Sequence, residues 1–324
     1  MNKLRVAVLM GGKSAEHEVS LNSAMNVISS LDGEKYDIVE VKIDKEGNWD
    51  KSLLEGVDVV FPVLHGPYGE DGSMQGFLKI NNLPFVGPGV LGSAVAMDKD
   101  VAKRLLRDAG LPIGKFVVIL EGAQRAIGSQ FEEIKNKLGL PLFIKPANLG
   151  SSVGVTKAHN EEEFIKALEE AFAYDTKIIV EEFIKGREIE CSVLGNENPK
   201  ASVPGEIAAS HEFYDYDAKY IDKKGADLKI PADLSNEQVK EAQDLAVKTF
   251  QTLCLEGMAR IDLFLTDENK FYVNEANTIP GFTNISMYPK LWEASGIGHG
   301  ELVDRLIQLA MERFKRENSL KSSL

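Results

Sequence analysis

Cysteine is scarce: the 324 residues contain two, Cys191 and Cys254. They lie far apart with no CxxC, which excludes a disulfide scaffold or a cysteine metal cluster and points to a reducing compartment. Both sit in apolar, strand- or helix-like surroundings and are expected to pack in the core. Long hydrophobic runs are also missing. No stretch approaches the roughly 18 apolar residues of a membrane span, and Val6-Ala7-Val8-Leu9-Met10 is too short for a signal h-region with a cleavage site. A cytoplasmic protein with no membrane partner is expected. Basic residues are the minority, Lys+Arg 37 against Asp+Glu 50, net −13. Without a basic surplus to neutralise phosphates, nucleic acid and anionic membranes are excluded as main partners. A nucleotide is not, because its site needs only a few local cations. There is no internal repeat or low-complexity segment. What remains is ordinary globular composition, 44% hydrophobic and 27% charged, on a chain long enough for two or three domains.

Strands expected at 4–10, 36–43, 57–64 and 84–86 alternate with helical patterns, which implies a parallel α/β sheet. Ser14 is a plausible N-cap after Gly11-Gly12, with Glu16 and Glu18 in the first helical turn. The loop His65-Gly66-Pro67-Tyr68-Gly69-Glu70-Asp71-Gly72 leads from a strand into a helix, and loops after strand C-termini are where such sheets bind ligands. After Gly92 the texture changes: a helix at about 98–109, strands at 115–120 and 142–145, and a helix opened by Asn160 with Glu163 as capping partner. A strand at 177–182, strands near 187–194 and 201–207, and a polar aromatic loop at 210–229 follow. A helix from Ser235 to about Leu253 carries Val239, Ala242, Ala246, Phe250 and Leu253 on one face. The last helix buries Leu302, Leu306, Leu309 and Ala310.

The most informative stretch is Met258 to Leu265 and, after a polar segment, Phe271 to Asn277. Each half alternates polar and apolar residues like a strand with one buried face. Arg260 and Asp262 share one face, Ile261, Leu263 and Leu265 the other; Glu275 and Asn277 are expected on a face with Val273. A hairpin centred between Glu268 and Asn269 sets Asp262 opposite Glu275 and Arg260 opposite Asn277. A three-residue loop would destroy that pairing. Opposed Cβ atoms lie about 4.5–5.5 Å apart, so the two carboxylates could share a divalent cation, and oxygen donors suit Mg²⁺ better than Zn²⁺. The alternative is a surface hairpin with solvated charges.

Two nucleotide motifs are incomplete. Gly12-Lys13-Ser14 ends like a P-loop, but the earlier glycine is replaced by Ala7. Gly87-Pro88-Gly89-Val90-Leu91-Gly92 matches G-x-G-x-x-G, yet Asp108 falls inside a predicted helix rather than ending a second strand; an NAD(P) oxidoreductase rests on this alone. Lys145 at a strand end, before Gly150-Ser151-Ser152-Val153-Gly154, offers a cation and backbone donors for a phosphate chain, or simply a glycine-rich hairpin. Lys99 alone is a surface helix lysine. Glu181 and Glu188 bracket Phe183-Ile184-Lys185-Gly186 and could accept from a purine amino group and a ribose hydroxyl, or form a salt-bridged edge. Four aromatics among charges in Phe213 to Tyr220 suggest a lid.

Taken together, His65 to Gly76, Gly150 to Gly154, Phe213 to Tyr220 and Asn274-Glu275-Ala276-Asn277-Thr278-Ile279-Pro280-Gly281-Phe282 resemble the D-alanine–D-alanine ligases, ATP-grasp enzymes of cell-wall synthesis. The similarity runs from Gly11 to the final helix. It implies an α/β fold of the ATP-grasp type: an N-terminal Rossmann-like parallel-sheet domain (1–96), a small central α+β domain (97–181) and a C-terminal α+β domain (182–324) with the metal site and lid. It implies ATP-dependent joining of two D-alanine molecules through a D-alanyl phosphate, for peptidoglycan precursors, by a homodimer. D-serine or D-lactate as second substrate is the alternative.

The resemblance also implies roles. Asp262, Glu275 and Asn277 would hold two Mg²⁺, with Mn²⁺ able to substitute. Lys99, Lys145, Ser151, Lys219 and Asn274 would surround the ATP phosphates. Glu181, Glu182, Phe183 and Ile184 would meet adenine, and Glu188 the ribose. Glu16 would bind the ammonium of the first D-alanine and link to Ser151 and Tyr220, closing the lid. Arg260 and the Gly281 N–H would stabilise the tetrahedral intermediate. Ser286 and the Met287 backbone would hold the second carboxylate, with His65 positioning the first substrate. A hydroxyl-bearing Tyr220 goes with D-alanine as second substrate.

Overall fold

The computed structural model describes residues 3–122, 127–151, 153–209 and 226–321. β1 (Leu4–Gly11) runs parallel to β2 (Tyr36–Ile43) and β3 (Val59–Pro62), in the order β2-β1-β3. Val6 to Met10 are buried without alternation, as a parallel strand covered on both faces requires. The expected strand at 84–86 is reduced to one parallel bridge, Val60 to Phe85. The helices His17–Ser30 and His299–Asn318 both contribute to the apolar cluster around Val6, Val8 and Met10, so the end of the chain packs against its start.

Ser14 is not the N-cap. The helix begins at His17 with Glu16 in the cap position, and the Ser14 hydroxyl accepts from the Glu16 N–H (3.2 Å) in the preceding turn. The helix expected at 98–109 is Lys99–Asp108, opened by an Asp98 side chain that accepts from the Val101 N–H. A separate helix, Val90–Met97, precedes it. It occupies the second half of the G-x-G-x-x-G match, whose last glycine serves close packing. A Cβ on Gly92 would lie 2.5 Å from the Cys254 carbonyl oxygen.

The middle of the chain forms a four-stranded sheet of β4 (Phe116–Leu120), β5 (Leu142–Pro146), β6 (Thr156–Ala158) and β7 (Lys177–Glu182), ordered β4-β7-β5-β6 and antiparallel. The helices Ile127–Leu138 and Glu161–Phe172 cover it. Asn160 caps the second as expected, accepting from the Glu163 N–H at 2.9 Å.

The remaining strands are β8 (Gly186–Gly195), β9 (Lys200–Ala201), β10 (Gly205–Ala209), β11 (Ala226–Lys229), β12 (Gly257–Thr266) and β13 (Phe271–Asn277). They make an antiparallel sheet, β11-β10-β8-β12-β13, with β9 on β8. Ile261, Leu263 and Leu265 point into the core formed with Ala242, Ala246 and Phe250 of the helix Asn236–Thr252. That helix has a full capping box between Ser235 and Gln238, which satisfies two otherwise orphaned N–H groups. Cys191 lies in this core, and burial pushes its thiol up to about 12. Cys254 does not: it is exposed, just past the helix end, in left-handed conformation (φ 54°).

The β12–β13 hairpin keeps the expected pairs by an unexpected route. Asp262 faces Glu275 and Arg260 faces Asn277. The loop, however, is the three-residue Asp267-Glu268-Asn269: Thr266 N–H bonds to the Lys270 carbonyl, and Asn269 takes φ 59°. This loop pairs Leu265 with Phe271 and Leu263 with Val273. A β-bulge then absorbs Asn274 and restores the register at Glu275. One extra residue also changes which side chain faces which way. Val273 is therefore buried in the core while Glu275 turns to the opposite face, and the expected shared face is corrected.

Candidate active site

A cleft of about 430 Å³ opens between the four-stranded sheet and the β8-β12-β13 face. Alternation builds its floor. Arg260 and Asp262 point the same way from β12, and register places Glu190 of β8 and Glu275 of β13 on either side of Asp262. Arg260 grips Asp262 with two bonds, Nε to Oδ1 at 2.7 Å and an Nη2 bond at 2.8 Å. The Asn277 side-chain amide also donates to Asp262, at 2.9 Å. Among the described residues no three His, Cys, Asp or Glu side chains converge as a ready metal cage. The hard-oxygen set at this point is Asp262, Glu275 and Asn277, a donor chemistry that suits Mg²⁺ or Mn²⁺.

The other wall supplies positive charge. Glu181 is 6% exposed. Its carboxylate lies 2.6 Å from Lys145 Nζ and 2.9 Å from Lys103 Nζ. Burial alone would raise its pKa, but the two ammonium groups outweigh that and hold it at about 2. Burial would conversely lower Lys145, and Glu181 lifts it instead. Lys99 Nζ donates to the Leu149 carbonyl and lies 3.9 Å from Glu275. The loop after β5 is anchored by Asp175, which accepts from both the N–H and the amide of Asn148. Ser151 on that loop has φ 53° and lines the cleft with Gly150.

The edge of the cleft is apolar and open. Phe183 stacks on Phe143, with centroids 5.8 Å apart, and Lys157 sits over its ring. Ile184, Glu188 and Asn274 line the same space. Glu182 also borders it, although its carboxylate accepts from the Lys115 N–H at 2.7 Å.

A second cluster gathers where β1, the 65–72 loop and the segment after β13 meet. Glu16 is buried, and its carboxylate would lie within 4 Å of a Cβ on either Gly66 or Gly150. His65 Nδ1 lies 3.0 Å from the Ile279 carbonyl oxygen. That contact requires the proton on Nδ1, which leaves buried Nε2 as an acceptor with no hydrogen-bond partner among the described residues. Burial lowers the His65 pKa and the Glu16 charge opposes this. Glu70 spans the two loops, accepting from the Gly66 N–H (2.6 Å) and the Ile279 N–H (3.2 Å). Burial first, then the Glu16 charge, pushes Glu70 up to about 8.

Gly281 permits a close approach: a Cβ there would meet Ser286 Oγ at 2.7 Å. Ser286 Oγ accepts from the Thr283 N–H, and Met287 opens the helix Met287–Ala294, so its N–H belongs to a helix N-terminus. Lys219 and Tyr220, with the rest of the expected lid, lie outside the described residues. Sequence reasoning missed Lys103, Glu190 and Glu70. Lys103 is one helical turn from Lys99 and Glu190 two strand positions from Glu188, so periodicity could have found both.

The fold and this cleft define the class: an ATP-grasp ligase architecture. Family models described as D-ala D-ala ligase N-terminus and C-terminus match residues 5–55 with 50–88, and 105–308. The chain is 50% identical to the D-alanine–D-alanine ligase of Oceanobacillus iheyensis, over 99% of both chains. It is 49% identical to D-alanine–D-alanine ligase A of Escherichia coli K12, over 100% of both. Among solved structures, the D-alanine–D-alanine ligase of Coxiella burnetii superimposes with TM-score 0.83 at 40% identity, covering 98% of this chain and 97% of that one. The VanG D-Ala:D-Ser ligase of Enterococcus faecalis gives 0.86 at 36%, covering 95% and 100%. The chain belongs to the D-alanine–D-alanine ligase family.

Proposed function

We propose that this chain joins two D-alanine molecules into D-alanyl-D-alanine, converting ATP to ADP and phosphate. The observation that carries the reading is the floor of the cleft: Asp262 opposite Glu275, with Arg260 and Asn277 as the next pair, facing Lys99 and Lys145 across the cleft. A free carboxylate is too poor an electrophile for amide formation, so the first D-alanine takes the γ-phosphoryl group from ATP. Lys99 and Lys145 neutralise phosphate oxygens, and Ser151 with Gly150 covers them. Asp262, Glu275 and Asn277 would hold Mg²⁺, or Mn²⁺ in its place, which would supply further charge neutralisation when bound.

Glu16 holds the first ammonium group, with His65 presenting Nε2 beside it. The second D-alanine, its carboxylate on Ser286 and the Met287 N–H, attacks the acyl carbon with a neutral amine. Arg260 and the Gly281 N–H stabilise the oxyanion that forms. Phosphate then leaves, and the amine proton passes to solvent or phosphate. Phe183, Ile184, Glu181 and Glu182 frame the adenine end, Glu188 the ribose and Asn274 the phosphate chain. The enzyme works as a cytoplasmic homodimer.

The test is phosphate release with ATP and Mg²⁺ across D-alanine, D-serine and D-lactate. Release with D-alanine alone, and a dipeptide product, is expected. Release that requires D-serine alongside D-alanine would move the assignment toward the second reading, which the likeness to the VanG D-Ala:D-Ser ligase keeps in play. No substrate-dependent release would sink both.

A further inference from the structure

Arg260 lies between two carboxylates, and only one of them has a part in the reaction described above. Its Nε–H points at Asp262 Oδ1, 2.7 Å away, while Glu190 Oε2 lies 3.1 Å from the same nitrogen. Glu190 is 4% exposed on β8, directly opposite Asp262 in the ladder. A buried carboxylate at a sheet centre is costly unless a cation meets it, and Arg260 is that cation. Asp262, however, has a second demand on it. Both its oxygens accept from Arg260 and one also from Asn277. While that fork stands a divalent cation finds one open lone-pair direction, on Oδ1, and a fuller hold on the carboxylate requires the Nε–H to leave it.

We propose that Glu190 is a positioning residue for Arg260, receiving its Nε–H when Asp262 turns its carboxylate to a divalent cation. The inference rests on the metal role proposed for Asp262. One N–H shared between two nearby acceptors needs only a small rotation to change partner. Arg260 then stays over the reacting centre, and its charge is not left to follow Asp262 or to drift into the cleft. Glu190 acts through Arg260 and does not itself touch substrate.

The test is a double-variant cycle read by Mn²⁺ affinity, measured by electron paramagnetic resonance with ADP present. The four proteins are the unmodified chain, Glu190→Gln, Arg260→Gln and the pair. Glu190→Gln should weaken Mn²⁺ about tenfold, as loss of an outer-shell partner does, because Arg260 then loses the acceptor that draws its Nε–H away from Asp262. On the Arg260→Gln background the same change should do nothing. Equal weakening on both backgrounds would make Glu190 a simple negative charge near the metal and overturn the role. In turnover, Glu190→Gln should lower kcat about 10²-fold, the cost of a misplaced group; a rise in KM for ATP at constant kcat would also overturn it. Should Glu190→Gln melt early, Glu190→Asp, which keeps the charge but withdraws it by one methylene, carries the same cycle. No Mn²⁺ binding by the unmodified chain would remove the metal reading itself, and this role with it.

Discussion

Glu181 and Glu70 stand at opposite ends of the site, and their surroundings drive them in opposite directions. Glu181 is buried between Lys103 and Lys145 and is held at about 2. Glu70 receives only two backbone N–H groups, faces the Glu16 charge, and is pushed up to about 8 although it is partly open to solvent. Desolvation acts on both; the difference is the sign of the nearest full charge. The ATP end is therefore a permanently charged lattice of lysines and carboxylates, suited to phosphates and metal. The other end is a network of peptide dipoles around Glu70 and an imidazole that burial holds toward its neutral form, beside the buried Glu16 side chain.

The strongest way to break this contrast is to remove charge from the β12–β13 floor of the cleft, where the metal is proposed to bind. Glu275→Gln should lower kcat/KM by about 10³-fold, the scale for losing one electrostatic stabiliser of a transition state. The fold should stand, because Glu275 is a half-exposed group on a strand held by β12. Turnover within a few-fold of the unmodified protein would show that Glu275 is not a metal ligand. Next in size is Lys103→Met, which leaves Glu181 with one counter-ion. Breaking a buried pair costs about 3 kcal/mol or more, and KM for ATP should rise as Lys145 is drawn more tightly to Glu181. Denaturant melts and ATP saturation curves check both; an unchanged melt would mean Lys145 alone satisfies the carboxylate.

Much of the floor of the cleft was legible because strands write their faces at period two. The polar positions Arg260, Asp262 and Glu275 could be placed on one cleft from alternation and register. The turn was not legible. A three-residue loop and a bulge at Asn274 each shift the register by one, and their cancellation leaves no mark in the hydrophobic pattern. Lys103 was hidden for another reason: a helix lysine is normally solvated, and only its ion pair with Glu181 on β7 turns it inward. The helix Val90–Met97 is apolar through most of its length and has no side-chain cap, so neither amphipathic period nor boundary signal announced it. Glu70 sat inside the quoted loop motif, but its bond to Ile279, 209 residues away, is a property of the fold alone.

The effect that is smallest at pH 5 is also the sharpest test of the contrast, since it concerns sign. A carboxyl whose pKa rises on folding, from 4.5 to about 8 at Glu70, keeps its proton in the native state after the unfolded chain has released it. Stability then falls as pH rises through that window, by at most about 1.4 kcal/mol per pH unit for one proton. Glu181, lowered from 4.5 to about 2, does the reverse: its contribution is present above 4.5 and is lost as pH falls toward 2. Glu70→Gln should remove the first slope and leave the second. The glutamine cannot accept from both the Gly66 and Ile279 N–H groups, since one end of its amide is itself a donor. The variant should therefore be less stable at pH 5, by about 1–2 kcal/mol for a mismatched buried hydrogen bond. Its deficit should disappear and then reverse between pH 5 and 8, where the unmodified protein loses about 1.4 kcal/mol per pH unit as its retained proton ceases to favour the native state. Melting curves that stay parallel across that range would mean Glu70 is ionised throughout, and the two ends of the site would then be alike in charge and different only in their partners.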